Sequence, residues 1–500
     1  MGPLTGLVGI IALLLTAYAL SNNRKAINWR LIASGLALQL MLAVFCLKVP
    51  LGRELFHQMG QGIEKLLSFS DAGASFVFGF LVSKPDQLNA VFGPGSSFIF
   101  AFKLIPTIIF VSALVSIGYH LGLMQRLVQV VAWLVYKLMG ASGAEALSNA
   151  ASIFVGQVEA QLLIKPYVPT MTRSELLAAM AGSLACIAGG VMAVYIQMGI
   201  PAEYMLTASV MAVPGALVIA KLIYPETEPS PTRGEIKLEI KRESVNLIDA
   251  AARGAGDGMK IGIGVTAMLI AFIALINMTD FLVGQLGLWL ASTGMSLGFI
   301  GLDLQHLSLQ SILGSIFSVV AVLLGVPLQD AHTVGGLLGT KIVLNEFVAF
   351  STLSPMLAAH TLDPRSVAIV TFALCGFANF GSVAIQVGGI GEMAPNRKHD
   401  LAELGLRALL CGTMASYVSG ALAGVLVGVE SSAAGNVITV ALIALAIGVI
   451  LLARKLPMGA LPESSQPTSP APFSGPLVSL EDIAAVKPAI PAEESKEGVS

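Results

Sequence analysis

The chain is 500 residues long, yet only 12% of them are Asp, Glu, Lys or Arg and 55% are apolar, where a soluble globular domain carries about 25% charge. At a mean hydropathy of +0.82, a water-soluble chain of this length could not bury its apolar surface and still cover itself with polar side chains. A cytosolic enzyme and a disordered scaffold are excluded, as is a nucleic-acid binder, because a net charge of −2 leaves no basic surplus for phosphates.

The composition is that of a polytopic membrane protein, and a crossing helix needs about 20 apolar residues. Residues 4–20 form the first candidate; without a basic n-region or a cleavage site, they read as a retained span. Further spans are predicted at 31–47, 98–121, 174–199, 204–224, 261–290, 366–387, 406–427 and 437–453. Segments 52–69, 123–139 and 307–326 mix apolar runs with polar residues and read as amphipathic helices along the interface or the protein. Two short segments, near 143–165 and 331–353, enter and leave on one side. The GAGDG run at 254–258 lacks a preceding strand and a closing Lys-Ser/Thr, so it is read as a cap for the sixth span rather than a phosphate loop. Pro225 to Glu243 reads as a solvated loop between halves, and the Pro-rich residues 456–500 as a disordered tail.

This gives seven regions. Residues 1–97 hold scaffold spans and an interfacial helix, and 98–224 the third span, an amphipathic helix, the first re-entrant hairpin and the fourth and fifth spans. Residues 225–258 form a cytoplasmic linker, 259–330 a long central span with an amphipathic helix, and 331–430 the second hairpin with the seventh and eighth spans. An extra span (431–455) and the tail (456–500) complete the chain. Arg24, Lys25, Arg30, Lys165, Arg173, Arg233, Lys237, Lys241, Arg242, Arg253, Arg397, Lys398, Arg454 and Lys455 fall in cytoplasmic loops if the N-terminus is outside. Lys48, Arg53, Lys65, Lys84 and Arg365 then fall outside. Cys46, Cys186, Cys375 and Cys411 are isolated in apolar stretches and read as small core residues.

A weak internal repeat runs through the chain. In each half an amphipathic helix ends on a glycine, Gly140 or Gly325, and a carboxylate follows 19 or 21 residues later, Glu159 or Glu346. Points where a helix can unwind, Gly190 and Ser382, follow 31 and 36 residues beyond. Secondary transporters are built from such repeats, whose interrupted helices place a binding site near the bilayer midplane. A carboxylate there costs about 2.5–3.5 kcal/mol on insertion scales, so it is rarely idle. Glu159 with Gln157, Glu346 with Asn345, and Asn379 with Ser382 form polar clusters inside apolar sequence. Interhelical hydrogen bonding is the plainer reading of such residues, but two repeat-paired glutamates fit it less well. No HExxH, Walker loop, GxSxG elbow or CxxC pair is present, so no enzyme chemistry is expected.

Around these residues, MGASGAEALSNAASIFVGQVEAQLLIKPY, GTKIVLNEFVAF and ALCGFANFGSVAIQVGGIGEMAPNRK resemble the concentrative nucleoside transporter family, in order over roughly residues 1–430. The resemblance implies an all-α inverted-repeat transporter with two re-entrant hairpins and two broken helices, a scaffold carrying an elevator-type transport domain, and a homotrimer in the bilayer. It also implies that Gln157 and Glu159 face the nucleobase with Val191 packed on it. Glu346, Asn379 and Ser382 would hold the ribose, and Phe377 would line sugar and base. Where the family usually has Thr this chain has Val158, and where it commonly has Pro it has Gln161. Sodium-coupled members use an Asn and a Ser side chain with two backbone carbonyls; the matching positions here are Ser152, Val155, Cys186 and Ile187. The expected function is nucleoside import by Na+ or H+ symport across the plasma membrane, the inner membrane of a bacterium, without any other cofactor. Another polar heterocyclic or sugar-like cargo, and a non-transporting membrane gate or assembly protein, stay open as alternatives.

Overall fold

The computed structural model describes residues 5–83, 87, 88, 91, 99–232, 244–295, 303–427 and 433–453, and among them all regular structure is helical. Lys84, the basic residues Arg233, Lys237, Lys241, Arg242, Arg454 and Lys455, and the tail from 456 lie outside the described residues.

The first helices are α1 (Thr5–Ala19), α2 (Trp29–Leu47), α3 (Pro50–Phe78) and α4 (Phe80–Ser83). Pro50 opens α3, where its missing N–H costs nothing, and Gly79 at φ 58° closes it. After α5 (Phe100–His120) the chain traces the same sequence of elements twice. In the first pass α6 (Leu123–Met139) leads to the arms of a hairpin, α7 (Gly143–Ala151) and α8 (Glu159–Leu162). A broken helix follows as α9 (Arg173–Ala185) and α10 (Gly189–Gln197), and then a continuous helix, α11 (Ala202–Ile223). Between the passes lies α12 (Leu247–Ser292). In the second pass α13 (Leu309–Leu324) leads to the hairpin arms α14 (Leu328–Val343) and α15 (Glu346–Ala358), to the broken helix α16 (Pro364–Leu374) and α17 (Phe380–Met393), and to α18 (Lys398–Val427). The last described helix is α19 (Ala433–Ala453).

The boundaries have local causes. Gly140 and Gly325, the glycines that mark the repeat in the sequence, both take left-handed conformations (φ 72° and 100°) and stop α6 and α13. After Gly325 the chain turns by 116° into α14, and Pro327 sits at its start. Capping boxes start α7 (Ser142 with Glu145) and α9 (Thr172 with Glu175). The centre of the protein is built on α11, buried from Met211 to Ile223, and on α18, with Tyr195, Phe350 and Phe372 fully buried beside them. All four cysteines are buried and free of disulfides.

Two sequence expectations need correction. The GAGDG run caps nothing: it lies inside α12, which begins at Leu247 on an Asn246 cap, so the linker ends well before residue 258. Its glycines instead let α12 approach α5. A Cβ at Gly254 would stand 2.5 Å from the Ser112 carbonyl oxygen, and one at Gly258 2.7 Å from Ile109 Cα. Gly262 continues the stripe against Ile105, a close-packing pattern of small residues four apart. At 46 residues and about 1.5 Å per residue, α12 is roughly twice as long as the hydrocarbon core is thick, about 30 Å.

The start of the predicted solvated loop is docked. Thr232, 2% exposed, accepts from Gly143 N (3.0 Å) and donates to the Glu175 carboxylate (2.5 Å), which Ser230 also reaches. Beside it the buried Lys221 ammonium pairs with Glu145, lies 3.4 Å from Glu226 and donates to Ser174 Oγ at 2.8 Å. Residues 226–232 thus clip the base of the first hairpin to the start of α9. Charge-bearing residues here satisfy the helix caps, and so the segment cannot remain free in water.

Candidate functional site

Each hairpin turns just before a glutamate. In the first, α7 ends at Ala151 and the backbone unwinds until Glu159 opens α8; in the second, α14 ends at Val343 and Glu346 opens α15. The repeat seen in the sequence therefore places both carboxylates at one position, the first residue of the second arm. Asn345 caps α15 by accepting from Val348 N at 2.9 Å. Val158, at the same place in the first hairpin, has no capping oxygen.

The two glutamates have different surroundings. Glu346 is 5% exposed. Its carboxylate accepts from Tyr195 Oη (3.2 Å) and from Asn379 Nδ2 (3.0 Å). Asn379 also caps α17, accepting from Ser382 N at 2.7 Å, and so one amide joins the hairpin tip to the broken helix. Glu159 is exposed, and among the described residues no cationic side chain pairs with it. Its carboxylate folds over Gly156, where a Cβ would lie 2.2 Å from Oε2. Gln157 Oε1 is shielded from solvent and accepts no hydrogen bond. Tyr195 was not legible as a site residue, because an aromatic inside VMAVYIQ reads as core.

The helix breaks meet. The interruption between α9 and α10 begins at Cys186, and the one between α16 and α17 at Cys375. Phe377 N donates to the Cys186 carbonyl (3.2 Å), and Gly376, at φ 145°, lies so close that a Cβ would be 2.7 Å from the Ala185 carbonyl oxygen. Each thiol leans on α11: Cys186 Sγ towards Ser209 O and Cys375 Sγ towards Met205 O, both at 3.9 Å. The actual breaks thus precede Gly190 and Ser382, which stand in the first turns of α10 and α17. Phe377 and Val191 are half-buried beside them, Val191 N bonding to Ala188 O at 3.0 Å.

The predicted cation positions also lie at the first break and hairpin, where Gly189 N donates to Phe154 O at 3.2 Å. Ser152 Oγ donates to Ser148 O at 2.9 Å, the Cys186 thiol is turned towards α11, and Val155 and Ile187 have backbone oxygens alone to offer. This set is poorer in side-chain oxygen than a hard cation prefers.

Two further residues define the first hairpin. The γ-methyls of Val158 cover Gly389 of α17, where a Cβ would stand 2.8 and 2.9 Å from them. Gln161, 1% exposed, accepts from Ser148 Oγ (3.0 Å) and donates to Ala179 O and Ser183 Oγ (3.1 Å each). Ser183 Oγ in turn accepts from Gln386 Nε2 of α17 at 2.9 Å. The first hairpin is therefore stitched to the broken helix of the second repeat.

Three family models match in succession: Na+ dependent nucleoside transporter N-terminus at residues 8–81, Nucleoside recognition at 101–202 and Na+ dependent nucleoside transporter C-terminus at 204–424. Over 433 residues the chain is 39% identical to the nucleoside permease NupC of Helicobacter pylori, covering 86% of this chain and 99% of that one. The chain belongs to the concentrative nucleoside transporter family. It is also 38% identical to the human sodium/nucleoside cotransporter 1, over 85% of this chain and 64% of the human protein. Among solved structures it is similar to CNTnw in an inward-facing substrate-bound state, with a TM-score of 0.79 and 42% identity over 87% of this chain and 100% of that one. This family is one of multi-pass membrane transporters, not enzymes. The matched segments end at residue 424, so α19 lies beyond them.

Proposed function

We propose that this protein is a secondary active transporter that imports nucleosides by cation symport across the plasma membrane. The observation that carries the reading is the Glu346 carboxylate, held at a hairpin tip between Tyr195 and Asn379. A carboxylate so placed accepts charge-assisted hydrogen bonds from ribose hydroxyls, with Asn379 and Ser382 beside it. At the other tip the unpartnered Gln157 Oε1 and the exposed Glu159 carboxylate accept N–H groups of a base. Val191 and Phe377 supply apolar surface against base and sugar. Val158 contributes through its contact with Gly389 rather than through a polar group. A site built for hydroxyls rejects a deoxy analogue that leaves its acceptors unpaired.

The coupling ion is a cation. Sodium would be held by Ser152 with carbonyls at Val155, Cys186 and Ile187. The single side-chain oxygen in that set supports a second reading, a proton carried by Glu159 or Glu346. Across 100 mV one co-transported charge contributes about 2.3 kcal/mol, enough for roughly 50-fold accumulation. The protein works as a homotrimer, as the family resemblance implies. The apolar side chains exposed along α12, among them Ile270, Phe281 and Trp289, suit both lipid and such contacts. The test is uptake of labelled uridine and adenosine into proteoliposomes with sodium and proton gradients imposed separately. Accumulation under one gradient and none under the other identifies the ion; accumulation under neither refutes symport of these substrates.

A further inference from the structure

Lys341 is the one fully buried cation among the described residues that lacks a carboxylate within 4 Å. Its side chain is 0% exposed, and its ammonium donates to the carbonyl of Ala373 at 2.8 Å. The other buried lysine, Lys221, is paired with Glu145 and Glu226. The buried Glu346 carboxylate acts on it only from beyond ion-pair distance, and an ammonium so far from water is costly unless fixed partial charges also answer it. Ala373 supplies them: it lies in the last turn of α16, immediately before the break at Cys375. The unsatisfied carbonyls at a helix C-terminus carry roughly half a negative charge. Lys341 therefore neutralises the end of a half-helix within the protein.

The first repeat has the same half-helix end without a side-chain cation. The last turn of α9 stops at Cys186, as that of α16 stops at Cys375, and the two ends cross at Gly376 and lean on the same stretch of α11. Among the described residues, no Lys or Arg donates to the carbonyls of Ser183, Leu184, Ala185 or Cys186. Each repeat thus presents a hairpin arm and a broken-helix C-terminus to the centre, but only the second brings its own positive charge.

We propose that Lys341 is a tethered cation, occupying in the second repeat the kind of position that a free monovalent cation takes in the first. The fold then has two pseudo-equivalent cation positions, one exchangeable and one filled permanently by the protein. Replacing the ammonium with a neutral side chain that carries an oxygen converts the second position into a site for a free alkali cation. The comparison with the first repeat rests on the proposed cation symport, but cation binding at the second can be read without transport.

Full-length wild type and Lys341→Gln are purified in choline chloride, and their melting is followed as sodium, lithium or potassium chloride replaces it. Lys341→Gln is expected to melt lower than wild type in choline and to gain several degrees, saturably, with one alkali cation. That gain should exceed any wild-type response and survive in a Ser152→Ala background. Lys341→Arg, which keeps the charge, should show no added gain. In proteoliposomes the charge moved per nucleoside by Lys341→Gln should rise by about one elementary charge over wild type. A cation response of Lys341→Gln that superimposes on that of wild type overturns the proposal, and so does failure to recover the variant in any alkali salt when Lys341→Arg is recovered. Recovery of Lys341→Gln only when an alkali cation is present supports it. Wild type that takes up no nucleoside defeats the proposed function and leaves the melting comparison standing.

Discussion

Tyr195 and Glu346 meet across 151 residues of sequence, hydroxyl to carboxylate at 3.2 Å. The tyrosine belongs to the broken helix of the first repeat and the glutamate to the hairpin of the second. The carboxylate proposed to hold the ribose is therefore oriented by both halves of the protein.

Glu346→Gln removes the charge from these contacts while preserving shape. A hydrogen bond to a charged group contributes about 1.5–3 kcal/mol, so nucleoside affinity should fall about 10–100-fold, with the protein still eluting as a folded species. Tyr195→Phe removes one neutral donor and should weaken apparent affinity by several-fold. Near-normal uptake by Glu346→Gln would remove the carboxylate from the site.

Gly389→Ala places a methyl 2.8 Å from Val158 Cγ1, closer than carbon atoms pack. The tip of the first hairpin must shift, and uptake should drop while melting changes little. Val158→Ala in the same chain opens the space again and should restore uptake. A double variant no better than Gly389→Ala would show that this contact does not position the tip.

Gln161→Leu leaves Ser148 Oγ without its acceptor and Ala179 O without a side-chain donor. Buried groups left unmade cost about 1–3 kcal/mol each, so the melting temperature should fall. The variant should also lose nucleoside affinity, because Glu159 stands two residues away on the same short arm. Unchanged melting would mean that water replaces the amide.

The sequence made the positions of both hairpins readable, because Gly140, Gly325, Glu159 and Glu346 are residue types whose place in an apolar chain has few explanations. It did not reveal Tyr195 or the Gln161–Ser183–Gln386 stitch. A tyrosine in an apolar run and a glutamine near a hairpin acquire meaning only when the partner helix is known, and their partners are distant in sequence. Gly254 and Gly258 were misread for a related reason. Glycine marks both helix ends and close helix contacts, and local sequence does not separate them.

Lys221→Met strands Glu145 in a buried site, and breaking one side of such a pair costs about 3–5 kcal/mol. The variant should melt far below wild type or fail to accumulate. Lys221→Met with Glu145→Met removes both charges and should recover much of the loss. If the double variant is as unstable as the single one, the wider cluster with Glu175 and Glu226, rather than this pair, sets the stability.

The crossing at Gly376 decides what can move. Phe377 donates to Cys186 and Gly376 rests on the Ala185 carbonyl, so the two interruptions form one joint where they cross. A nucleoside held as proposed, by both repeats at once, would not be released by parting the repeats at this joint. Access to either side of the membrane must change by carrying the joint whole, or by lifting a hairpin from it.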